Sequence, residues 1–142
     1  MTKDVIVSVK GLQFENENEP VEIVTKGTYY NKNNKHYILY DEMFDEKEVT
    51  KSTIIVKDSS VEVIRRGITS SHMLFEENRK NTSYYNMPFG KMLLGINATK
   101  VDVKEQEDEM NIDIKYGLEV NYNFISECSI NIEVKSHRTP CL

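Results

Sequence analysis

From Met110 to Phe124 the chain alternates without interruption. Met110, Ile112, Ile114, Tyr116, Leu118, Val120, Tyr122 and Phe124 are apolar, and every position between them is polar or glycine. Successive side chains of a β-strand point to opposite faces, so the run predicts one face in a core and the other in water. With 39% apolar residues in the chain, so clean a run is roughly a one-in-10⁵ accident per window. One straight strand of this length would span about 50 Å, well beyond ordinary strands. The stripe is therefore expected to bend, with Gly117 on its polar side as the hinge, or to break into two strands.

The same two-residue period recurs elsewhere. It predicts strands from Lys3 to Phe14, with Val5, Val7 and Val9 on one face, then from Val21 to Tyr30 and from His36 to Met43. Further strands are expected at Val49–Lys57, Val61–Ile68, His72–Glu77, Thr82–Asn86, Lys91–Lys104 and Cys128–Lys135. Within Lys91–Lys104 the apolar phase slips between Ala98 and Val101, which calls for a bulge near Thr99–Lys100. Asn31–Lys35, Asp58–Ser60, Pro88–Gly90 and the acidic 105–109 segment carry turn chemistry. No segment of about 10–12 residues has a helical period. The pattern predicts an all-β chain of about 8–10 strands forming a single antiparallel up-and-down barrel, lipocalin- or calycin-like, with a β-sandwich as the alternative. The barrel domain is placed at residues 1–136 and a C-terminal tail at 137–142.

A chain of 142 residues suits one domain with a real core. Its net charge of -5 argues against nucleic acid or anionic membrane as partners. The N-terminal stretch has no apolar run or cleavage site of a signal peptide, and no window approaches the length of a membrane span. Cys128 lies in phase with Ile130 and Ile132 and reads as a small buried hydrophobe, while Cys141 follows Pro140 in the tail. Neither belongs to a redox or nucleophile motif, and a cytoplasmic address is expected.

Three stretches together, GTYYNKNNKHYILYDE at 27–42, VEVIRRGITSSHMLFEE at 61–77 and YYNMPFGKMLLGINATKVDV at 84–103, resemble the YwiB-like family, domain of unknown function 1934. The resemblance runs from Val5 to Val134. It rests on Gly27-x-Tyr29, Tyr37-x-x-Tyr40-x-Glu42, Arg65-x-Gly67, Met73-x-Phe75, and Tyr85 leading to Pro88-x-Gly90. It implies a calycin-type barrel in a small bacterial cytoplasmic protein, and it implies no activity.

Candidate chemistry follows from the strand phases. If Ile38 and Tyr40 face inward, Glu42 continues that face; if Val61 and Val63 do, Arg65 does too. An inward acid and guanidinium must pair with each other or meet a charged ligand, because an unpaired buried charge is very costly. In fatty-acid-binding calycins an inward arginine receives a carboxylate, and this pattern is similar in kind. The alternative is that both residues sit at a wet rim or pair only with each other. Tyr29, Tyr40, Tyr85 and Tyr116 can offer hydroxyls at the mouth, and Met73 and Phe75 can line an adaptable pocket; ordinary core packing is the competing reading of each.

His36, His72 and His137 lack metal-ligand spacing and read as surface residues, so no metal or cofactor is expected. The candidate ligand-binding set is Arg65, Glu42, Tyr40, Tyr29, Met73, Phe75 and Tyr85, for a small apolar or anionic molecule held inside the barrel. A solid-cored interaction protein, such as a homodimer joined through an open sheet edge, is the alternative. An enzyme using an interior Glu42–Tyr–Arg65 cluster is a third reading, and no catalytic residue is assigned.

Overall fold

The structure, a computed structural model, describes residues 1–11, 22–43 and 47–137. Ten strands follow one another: β1 (Asp4–Lys10), β2 (Glu22–Lys32), β3 (Lys35–Met43), β4 (Val49–Lys57), β5 (Ser60–Arg66), β6 (Ser70–Glu76), β7 (Arg79–Met87), β8 (Gly90–Glu105), β9 (Glu109–Val120) and β10 (Asn123–Ser136). Each pairs antiparallel with its sequence neighbours, and β1 also pairs with β10, closing the barrel. The ends of β1, β3, β5, β7 and β9 and the starts of β2, β4, β6, β8 and β10 therefore share one end of the barrel, here called the mouth end.

The opening stripe breaks rather than bends. β9 stops at Val120, and Asn121 and Tyr122 turn with φ of 49° and 72° before Asn123 pairs back with Val120. Positive φ at both central residues is the geometry of a two-residue hairpin whose twist matches its strands. Gly117 lies in an uninterrupted part of the ladder, between Asn97 and Glu127, so it is not the hinge expected from its lack of a side chain. Asn33 and Asn34, at φ 55° and 62°, form the corresponding turn between β2 and β3. The expected bulge is present: the β8–β9 register shifts between Ala98 and Lys100. Phe14, the expected 15–20 loop, Val21 and Cys141 lie outside the described residues.

Inward side chains of β1, β3–β6 and β8–β10 merge into one apolar cluster. Ile38, Ile54, Met73, Phe75, Leu94, Ile112, Ile114, Tyr116, Ile130 and Ile132 are among its fully buried members. β2 and β7 add only partly buried Tyr29 and Tyr85 to it. Each of these two strands also borders an incomplete ladder. β6 and β7 pair only at Ser70–Asn86 and Ser71–Tyr85. The β2–β3 ladder ends at Gly27–Tyr40, although β2 runs back to Glu22 and β3 runs on to Met43.

Gly27 marks the point where β2 and β3 part. A Cβ there would stand 2.7 Å from the Leu39 carbonyl oxygen and 2.8 Å from Val7 Cγ2. The carbonyl belongs to the ladder and cannot swing aside, so Gly27→Ala is expected to cost about 1–3 kcal/mol as an overpacked site. Thermal or denaturant unfolding checks this, and a variant as stable as the parent would contradict the close approach.

Candidate functional site

On β3 to β6 the inward phase turns from apolar to polar at the same height. β3 runs Ile38, Tyr40, Glu42; β4 runs Val56, Ile54, Ser52, Thr50; β5 runs Val61, Val63, Arg65; β6 runs Phe75, Met73, Ser71. Register aligns these changes. Gly27, Tyr40, Ser52, Arg65, Ser71 and Tyr85 form one row of directly paired positions from β2 to β7. Glu42 pairs with Thr50 one step nearer the mouth. The result is a polar floor under the mouth, above an apolar interior.

Within this floor Arg65 Nη2 donates to Glu42 Oε2 at 2.6 Å, and Ser52 Oγ donates weakly to Glu42 Oε1 at 3.4 Å. Both charged residues are buried, at 8% and 3% exposure. Beside the floor Gly67 packs closely on Thr50, since a Cβ there would meet Thr50 Oγ1 at 2.5 Å; that is a physical reason for the glycine of the Arg65-x-Gly67 pattern. Two buried polar atoms of the floor, Arg65 Nε and the Tyr40 hydroxyl, have no hydrogen-bond partner. The Tyr40 hydroxyl is within electrostatic reach of Glu42 and Ser52 without bonding geometry to either. Burial, and after it the charge of Glu42, pushes the Tyr40 phenol above its ordinary value.

Where β2 and β3 part, an open cleft of about 890 Å³ straddles the wall, lined by Asp4, Ile23–Thr28 and Leu39–Met43. Tyr40 and Glu42 belong to its lining; Arg65 stands behind Glu42, two strands away. The volume falls in the range of small-molecule sites. Its position is the mouth-end seam of the wall, whereas the sequence reading placed the ligand inside the barrel.

The structure thus gathers Arg65, Glu42, Tyr40 and Tyr85 around one level and separates the other candidates. Tyr29 is turned elsewhere: its hydroxyl lies 2.6 Å from His36 Nδ1, and His36 Nε2 lies 3.3 Å from Glu105 Oε2. His36 is accordingly half-buried instead of a surface residue. Met73 and Phe75 lie in the apolar cluster at 1% and 0% exposure, and Phe75 meets Tyr116 edge-on with centroids 5.1 Å apart. They fill the core and line no part of the cleft. Burial raises the Tyr116 phenol, with Cys128 as the next cause, and its hydroxyl is unpartnered deep in the core.

Ser52, Thr50 and Ser71 were not singled out from sequence, although each continues an apolar inward phase and is buried. Among the described residues no group of His, Cys, Asp and Glu could hold a metal ion. Nor is any helix long and apolar enough to cross a membrane.

Comparison with known proteins fits this architecture. The model of the family described as Domain of unknown function (DUF1934) matches residues 7–132. The chain belongs to this family. The uncharacterized beta-barrel protein YwiB of Bacillus subtilis (strain 168) is 28% identical over 109 residues, 77% of this chain and 76% of that protein. The crystal structure of the ywiB protein from Bacillus subtilis superposes with a TM-score of 0.79 at 22% identity, covering 96% of this chain and 93% of that one. That likeness supports the barrel fold. Neither the description of the family nor that of YwiB names an activity.

Proposed function

We propose that this DUF1934 barrel is a binding module that takes a small molecule with an apolar body and a polar head at its mouth. The head meets the Tyr40–Glu42–Arg65 floor, and the body lies along the β2–β3 cleft. The observation that carries this reading is the Tyr40 hydroxyl, buried without a hydrogen-bond partner on a residue that lines that cleft, with the equally unpartnered Arg65 Nε further in, behind Glu42. Leaving such groups unsatisfied costs about 1–3 kcal/mol each. A ligand that pairs with them recovers that cost, which gives it a specific advantage at this place.

The test is native mass spectrometry of protein purified from its host, followed by a thermal-shift screen of small amphiphiles. Tyr40→Phe is the informative variant because it removes one hydroxyl that has no partner in the ligand-free state. Its stability is expected to match or exceed the parent's, since an unsatisfied buried group is removed, while affinity for a captured ligand falls about tenfold. Equal affinity in both proteins would remove the head from this site.

A second reading has its own observation. Met43, Val49, Ile68, Phe89, Tyr122 and Phe124 are exposed large hydrophobics, and all lie at the mouth end. Apolar side chains exposed around this rim favour assembly with a partner or a second copy. Closure of the sheet removes the open edge through which a dimer was expected to form, so a homodimer would have to use this rim. If the rim drives assembly, the molar mass in solution should fall to one chain in Phe89→Ser/Tyr122→Ser; a parent already monomeric at high concentration contradicts self-assembly.

A further inference from the structure

We infer that the head group accepted at this floor is uncharged and bears a carbonyl, as in a primary amide, and is not a carboxylate. The inference rests on reading the cleft as a binding site and concerns only what the head must be. An inward arginine by itself invites an anion, but here its charge is already met. Arg65 Nη2 and Glu42 Oε2 stand 2.6 Å apart, with side chains 10% and 2% exposed. The buried pair is neutral as a unit.

A carboxylate entering beside it would bring a second negative charge next to Glu42 in a poorly solvated place, where like charges repel strongly. Drawing Arg65 towards itself would not help such a ligand. Glu42 would then keep only the 3.4 Å contact from Ser52, leaving a buried carboxylate nearly alone.

The cleft lining adds to the argument. Its charged residues are Asp4, Lys26, Asp41 and Glu42, an acidic excess that disfavours an anion again. A cation gains from that excess but fails at the floor, because the unmet demand includes the Arg65 Nε–H, which needs an acceptor and repels an ammonium. The second unmet group, the Tyr40 hydroxyl, both donates and accepts. A neutral carbonyl accepts from the guanidinium N–H, and an attached amide N–H₂ can donate to the phenol or to Glu42. Ile23, Val24, Leu39 and Met43 in the lining offer apolar contact for the remainder of the ligand.

Isothermal calorimetry with octanamide, octanoate and octylamine at neutral pH tests this, since the three share one apolar chain and differ in head charge. Octanamide should bind the parent protein about tenfold more tightly than either charged probe, and Tyr40→Phe should reduce that preference. Glu42→Gln leaves Arg65 without its counter-charge, so in that variant preference should move to octanoate. If octanoate or octylamine binds the parent as tightly as octanamide, the head-group inference is wrong while the cleft reading stands. Binding of none of the three overturns both. The comparison on the parent protein decides the matter even if Glu42→Gln does not fold.

Discussion

Replacing Glu42 with alanine is expected to lower the unfolding free energy by about 3–5 kcal/mol, because it leaves the Arg65 guanidinium buried without a counter-charge. The magnitude comes from the asymmetry of buried pairs. Removing both ions from water costs several kcal/mol each, and their attraction returns most of that only while both are present. Arg65 is 8% exposed and donates to Glu42 at 2.6 Å; its Nε has no other partner. Once Glu42 is gone, no remaining carboxylate of the described floor takes over. The double replacement Glu42→Leu/Arg65→Met should recover most of the loss, since it exchanges the pair for apolar groups on an apolar cluster. Urea denaturation of the parent, the single and the double variant forms the cycle that checks this. A single variant within about 1 kcal/mol of the parent would place the pair at a wet rim, as exposed ion pairs are worth little.

That pair also measures how far the sequence could be read. Alternation along Ile38–Tyr40–Glu42 and Val61–Val63–Arg65 ties each charge to the phase of its apolar neighbours and leaves open whether that phase ends in the interior or at a wet rim; the structure buries both and brings them together. The slip of phase after Ala98 located a real bulge. Both are local signals, since strand phase is written residue by residue.

Features that depend on which strand lies beside which were not legible. The β2–β3 ladder stops at Gly27–Tyr40 because β2 continues along β1 while β3 continues along β4. The cleft is the space this divergence opens. Tyr29 illustrates the same limit: its phase is inward, but its hydroxyl is set by His36, which depends on the hairpin geometry. Ser52 and Ser71 are small polar residues that a sequence reader passes over in a strand. They gain meaning only when register lines them up with Arg65.

The other large effect is expected in the core. Phe75→Ala should cost about 3–5 kcal/mol, the range for deleting a well-packed aromatic and leaving a cavity behind. Sequence alone left open whether the barrel was hollow, and Met73 and Phe75 were candidates for lining its pocket. Phase places Phe75 inward, paired with Val61 and at 0% exposure, and its ring meets Tyr116 edge-on at 64°. In a hollow barrel its truncation would enlarge an existing space and lose mainly the transfer term, about 1.5–3 kcal/mol. In a filled one the neighbouring strands are held in the closed sheet, although β6 is paired at Phe75 with β5 alone, so they close the gap only in part and a cavity term is added.

Tyr116→Phe supplies the internal control, because it removes a buried hydroxyl with no partner while keeping the ring. It should leave stability within about 1 kcal/mol of the parent or raise it. Denaturant midpoints of the two variants decide between the cases. A large loss in Phe75→Ala beside little change in Tyr116→Phe fixes the interior as packed and confines ligand capture to the seam at the mouth. A loss below about 1.5 kcal/mol in Phe75→Ala would instead mean that the apolar interior has room for a ligand.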